Sequence, residues 1–171
     1  MGFFSKIREV LSGRSKSGPT PNPMKIDTPI DEILASPAMC NEMVIFSKSE
    51  FSEENPKFLI AVKHAHALLR RDYFFTIPIK AMQAGAWIPP EHRGSQATMG
   101  AYLYDTYINL ASTSQVNIGS GTFAELQAIS QSPGRPFTLE NFDNAANEVS
   151  QLLKRDTLPR LISTRSRAAG A

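Results

Sequence analysis

At 171 residues with 42% hydrophobic content, the chain is long enough to bury one proper core and too short for two ordinary domains with linkers. Its lone Cys40 excludes an intramolecular disulfide framework and a cysteine-based zinc site, which is compatible with a reducing compartment. The net charge of +2 is uneven: residues 1–24 carry +3 and the segment after Ile162 carries +2, leaving −3 on residues 25–162, a body unsuited to gripping nucleic-acid phosphates.

In Met1–Leu11, the residues Phe3, Phe4, Ile7, Val10 and Leu11 recur at spacings of three and four, one face of an amphipathic helix whose other face is largely basic. Such a helix suits an anionic membrane surface; the alternative is docking on its own domain or on a partner. It lacks the continuous apolar run of a secretory signal, and Lys6 occupies the position where myristoylation requires Ser or Thr. Residues 12–27 read as a flexible linker, because Ser12 to Met24 is rich in Gly and Pro and poor in apolar surface.

The folded domain is expected to begin near Thr28-Pro29, with Thr28 as a cap and Pro29 at a first helical position. Ile30, Ile33 and Leu34 form one short apolar face; Pro37 interrupts it, and Met39, Met43, Val44 and Phe46 continue at helical spacing. A longer helix follows from Phe58 to Leu69, with Ser52 as expected N-cap, Glu53 and Glu54 complementing the helix dipole, and Pro56 in the first turn. Further helical patterns span Met99 to Leu110, Phe123 to Ile129 and Leu139 to Lys154, and no alternating strand pattern competes with them. The expected fold class is all-α.

Three separated segments carry the functional signal. They are Ser49-Glu50-Phe51-Ser52-Glu53-Glu54-Asn55, Gln115-Val116-Asn117-Ile118-Gly119-Ser120, and Asp156-Thr157-Leu158-Pro159-Arg160-Leu161. Each has a local explanation: a helix start, a polar turn, and a pair of opposite charges four residues apart on one helical face. Together, and in this order, they resemble the regulator of G-protein signalling (RGS) domain family over residues 28–163. The first looks like that family's loop between its third and fourth helices. The second, with Tyr104 and Tyr107-Ile108 before it, looks like its fifth helix and following loop. The third, with Phe142-Asp143-Asn144-Ala145 and Leu152, looks like its seventh helix and the start of its eighth.

The resemblance implies an RGS-like helical bundle of about eight to nine helices and a partner, the α subunit of a G protein. It places partner contacts on Glu50, Glu54, Asn55, Asn117, Ser120, Leu152, Asp156, Thr157 and Arg160, with Asn117 approaching the GTPase's water-positioning Gln, Asp156 holding a switch amide, and Arg160 bracing Asp156. The implied function is a GTPase-activating regulator; the alternative is an RGS-fold interaction scaffold without that activity. A Gα subunit supplies its own arginine and glutamine, so an activator can work by holding the switches in their transition-state arrangement, with no catalytic residue or cofactor of its own. The expected location is cytoplasmic, and the membrane reading of residues 1–11 adds peripheral attachment at the inner membrane surface as the alternative to docking on the domain or a partner.

Two departures from the family pattern are visible. Leu59 stands where the family commonly has Trp, which implies local repacking. A segment near residues 73–98, rich in aromatic and aliphatic residues and including Trp87, looks like an insertion. It joins helices at the end of the bundle opposite the contact loops, and is expected either to pack onto the bundle or to expose a second interface. The expected organisation is then an amphipathic helix over 1–11, a linker over 12–27, the domain over 28–163 and a basic flexible tail over 164–171. His64, His66 and His92 lack the spacing of a metal site, and no nucleophile–base arrangement supports an enzyme.

Overall fold

The computed structural model describes residues 24–71, 82–83 and 85–169. The amphipathic segment 1–11, the linker up to residue 23 and the aromatic stretch Tyr73–Lys80 lie outside these residues.

Among the described residues there are seven α-helices and no strand: α1 (Ile30–Ala35), α2 (Pro37–Ser49), α3 (Glu54–Arg70), α4 (Gln96–Tyr107), α5 (Ser120–Ser130), α6 (Asp143–Leu152) and α7 (Leu158–Ala169). Two 3-10 turns, Pro90–His92 and Leu139–Phe142, and a π turn, Leu153–Thr157, complete the helical elements, against the expectation of about eight to nine helices. The all-α expectation holds.

Local chemistry explains most boundaries. Ser36 separates α1 from α2 by accepting a hydrogen bond from Met39 N, with Pro37 in the first turn where its missing N–H costs nothing. Ser95 and Thr98 form a reciprocal capping box at the start of α4. Two expected caps are corrected. Thr28 accepts from Lys25 N at 2.8 Å instead of capping α1, whose N-cap is Pro29. Ser52 donates its hydroxyl to Ser47 O at 3.4 Å, and the N-cap of α3 is Glu53, with no side-chain cap.

The long run of α3 explains the architecture. Phe58, Leu59, Ile60, Ala61 and Val62 are all buried in sequence, so this helix is covered around most of its circumference at that point, with Lys57 and Lys63 left part-exposed, and it sits centrally. It packs against α2, α4 and α6, while α5 bridges α4 and α6, and α7 returns to α2. At Gly100 of α4 an added Cβ would lie 2.4 Å from Phe137 Cβ, so only glycine admits the stacked Phe137–Tyr104 pair there. Leu59 is 5% exposed and lines a cleft of about 250 Å³ with Leu34 and Val62.

The domain edges differ from the sequence expectation. Met24 is buried in the core, so the packed unit starts before Thr28. At the other end α7 is helical through Ala169, and Arg165 reaches Glu42 at 3.5 Å; the segment from 164 is a continuation of the last helix instead of a loose tail.

The later half of the insertion packs onto the bundle. Ala86 and Ile88 are completely buried, and Ile88 N donates to His64 Nδ1 on α3 at 2.9 Å. Trp87 is half-buried against the core with the Arg93 guanidinium 5.2 Å from its ring centre. Since α3 has 17 residues, about 25 Å separate its two ends, and the insertion leaves from the end opposite the Ser49–Asn55 loop.

Candidate partner-binding surface

The α2–α3 corner is built from a Schellman motif. Glu50 is the C-cap of α2; Phe51 N then donates to Lys48 O at 3.4 Å and Ser52 N to Ser47 O at 3.0 Å. The residue after the C-cap must turn left-handed, a position that glycine fills at least cost. Here it is Phe51, with φ of 56° and 94% of its surface exposed. A strained, fully exposed aromatic at the tip of a tight corner has no packing reason to be there. Phe51 was absent from the expected contact residues, and its signal in the sequence was a Phe where a Gly would end the helix.

Within the same corner Asn55 is buried, its Nδ2 at 3.5 Å from Glu54 Oε1 and its Oδ1 without a hydrogen-bond partner. Such an unmatched buried acceptor costs about 1–3 kcal/mol.

The third segment owes its shape to Pro159. This residue offers no N–H to the carbonyl four residues back, and its ring would collide with it, so the helix widens ahead of it. The result is the π turn Leu153–Thr157, in which Leu158 N bonds to Leu153 O. Leu153, Thr157 and Leu158 turn inward and are buried, whereas Arg160 is exposed. Thr157, expected as a partner contact, is therefore a core-side residue at 3% exposure.

Arg160 does not pair with the Asp156 carboxylate. Its Nε donates to the Asp156 main-chain carbonyl at 3.0 Å, and its Nη2 lies 3.0 Å from Glu50 Oε2. Arg155 takes the Asp156 carboxylate instead, at 3.0 and 3.2 Å. This contact holds the Asp156 carboxyl below the usual carboxylate range, with Arg160 a minor contributor. The expected brace thus acts on the backbone, and it also links the third segment to the first.

The middle segment is fixed from α6. Gly119, the N-cap of α5, has no side chain to offer, and Glu148 supplies the missing carboxylate: Gly119 N donates to Oε2 at 2.5 Å and Thr122 Oγ1 to Oε1 at 2.5 Å. Asn117 and Ser120 are exposed on this loop, beside a groove of about 350 Å³ lined also by Leu110 and Phe123. Glu148 and Leu152 are four apart on α6 and share a face. The row Glu148, Leu152, Asp156 and Arg160 therefore carries the Asn117 loop at one end and the Glu50 corner at the other. No group of three or more His, Cys, Asp or Glu able to hold a metal occurs among the described residues.

With this geometry in hand, comparison with known proteins is decisive: the family model for the regulator of G protein signaling domain matches residues 29–165. The chain belongs to the RGS family. It is also similar to human Regulator of G-protein signaling 21, at 28% identity over 146 residues, covering 85% of this chain and 79% of that protein. The RGS domain assigns the protein to G-protein signalling regulation. The match runs across the insertion and reaches Arg165, in keeping with an α7 that belongs to the folded unit.

Proposed function

We propose that this RGS domain is a GTPase-activating regulator that binds a GTP-loaded Gα subunit and steadies its switch regions for hydrolysis. The observation that carries this reading is the Arg160–Glu50 contact, which joins residues 110 positions apart into one rim with the strained Phe51 beside it. Phe51 offers an apolar anchor, Asp156 an acceptor for a main-chain amide, and Asn117 both a donor and an acceptor for an orienting contact. Leu152, half-buried between these polar groups, supplies an apolar floor. These groups suit the holding of a partner's loops, and the chemistry is left to the arginine and glutamine of the GTPase.

Single-turnover GTP hydrolysis by a panel of Gα subunits, with and without the protein, tests the reading. Acceleration of at least one Gα is expected. Binding of a transition-state-loaded Gα without acceleration identifies a scaffold, and neither binding nor acceleration rejects a Gα partner altogether.

Residues 1–11 are proposed to lie on an anionic membrane surface, which sedimentation with phosphatidylserine vesicles, with and without that segment, would read out. No helix among the described residues is long and apolar enough to cross a membrane.

A further inference from the structure

We infer that Glu148 is the positioning residue of this surface: it caps α5 from the neighbouring helix and thereby fixes the loop that carries Asn117. The inference deepens the Gα reading and rests on it for its consequence in hydrolysis.

The argument begins with what α5 lacks. The first turn of a helix leaves N–H groups unmatched, and the usual remedy is an Asp, Asn, Ser or Thr side chain at the N-cap. Gly119 holds that position with φ of −62° and ψ of 149°, an ordinary extended conformation open to any residue. Glycine is therefore not demanded by the backbone. It suits the neighbour: a Cβ at position 119 would lie 3.3 Å from Glu148 Oε2, tight enough that the carboxylate would have to shift by a few tenths of an ångström. The side chain that a local cap would use has been given up to admit a carboxylate from 29 residues away.

That carboxylate does more than a local cap would. Its two oxygens take the Gly119 amide and the Thr122 hydroxyl, and its charge faces the positive end of the α5 dipole. A cap from within the loop would move with the loop. A cap from α6 ties the loop to the helix that bears Leu152 and leads into Asp156, adding a cross-helix anchor to the Val116 N–Tyr107 O bond that holds the other side of Asn117. Asn117 lies two residues before the tethered amide. Its exposed side chain is thus presented by a backbone that is anchored rather than free.

The alternative is that Glu148 merely stabilises the fold. The two are separated by a local cap, which can replace the stabilising part but not the tie to α6. Four proteins are compared: wild type, Glu148→Ala, Gly119→Asp and the double variant Gly119→Asp/Glu148→Ala. Amide exchange at Gly119, whose N–H Glu148 accepts, and at Gly121 and Thr122 behind it reports the start of α5 without any partner. Single-turnover hydrolysis by the Gα that responds best reports the surface.

Glu148→Ala is expected to speed exchange at these amides and reduce GTPase acceleration by about tenfold, in line with the loss of an N-cap, while the thermal midpoint of the whole domain moves little. Glu148→Gln keeps one oxygen to accept from Gly119 N and can reach Thr122 Oγ1 only by donating its amide, so it retains the tie without the charge and most of the acceleration. Gly119→Asp alone sets two carboxylates against each other and loosens the loop. In the double variant the new side chain caps Gly121 and Thr122 locally, so their protection returns, but the tie to α6 does not and the acceleration stays low; full return of the acceleration overturns the inference.

Unchanged exchange in Glu148→Ala overturns the inference, as does a loss of acceleration matched by an equal loss in a distant destabilised variant such as Ile33→Ala, in the core face of α1. If no Gα responds to the wild type, the Gα reading fails, and the exchange pattern across the four proteins still decides whether Glu148 fixes the loop.

Discussion

Arg160 reaches past the Asp156 carboxylate to place its Nη2 3.0 Å from Glu50 Oε2. The pair is part-exposed, so its contribution to stability is under about 1 kcal/mol. Its value lies in geometry, since it joins the α2–α3 corner to α7. Arg160→Ala is expected to leave urea denaturation nearly unchanged and to weaken binding to transition-state-loaded Gα. A large fall in stability with intact binding would show the contact to be structural only.

Phe51 yields a prediction in which stability and binding move in opposite directions. Replacing it with Gly removes a left-handed penalty of about 1 kcal/mol and should raise the thermal midpoint. The same variant loses the exposed anchor, and Gα binding should weaken about tenfold or more by titration calorimetry. If Phe51→Gly binds as well as the wild type, the ring is not a contact.

Asn117 is exposed, and an Ala there should cost at most about 0.5 kcal/mol in folding. The acceleration of single-turnover hydrolysis should nonetheless drop by at least about tenfold, the scale on which loss of one orienting polar contact is felt. An unchanged rate would remove Asn117 from the mechanism.

The insertion is predicted to detach in acid. Burial, with a smaller contribution from Arg93, lowers the His64 pKa from 6.5 to about 4, so the folded protein favours the neutral ring. Nδ1 accepts from Ile88 N only when it carries no proton. A depressed histidine pKa contributes stability that is complete above about 6.5 and lost as pH falls toward about 4. Denaturation midpoints measured across that window should decline, and the decline should flatten in His64→Gln. An equal slope in both proteins would assign the acid sensitivity elsewhere.

The helical pattern and the contact segments were legible in the sequence for different reasons. Apolar spacing of three and four exposed the helices directly, whereas the central place of the helix that carries Phe58 to Val62 emerged only from its packing. The contact segments were visible only through family resemblance, because each is locally an ordinary cap, turn or ion pair. What could not be read was where side chains turn. Thr157 faces inward because a proline two residues later widens the helix, and Arg160 grips a main-chain carbonyl instead of a carboxylate for the same reason. Glu148 was invisible because its partners lie 26 and 29 residues away, a separation that no local motif records.

The π turn at Leu153–Thr157 has a consequence for how this surface tolerates change in length. A π turn accommodates one more residue than an α-helical turn between the same two ends, so the helix already stores a residue that a straight rod would omit. Removing one residue from Lys154–Asp156 while replacing Pro159 with Ala should give an uninterrupted helix that ends where α7 ends now, its core face intact and its rim one charged group shorter. The domain would then fold as before and present a different face to its partner, so specificity at this edge can be rewritten by two coding changes without disturbing the bundle beneath.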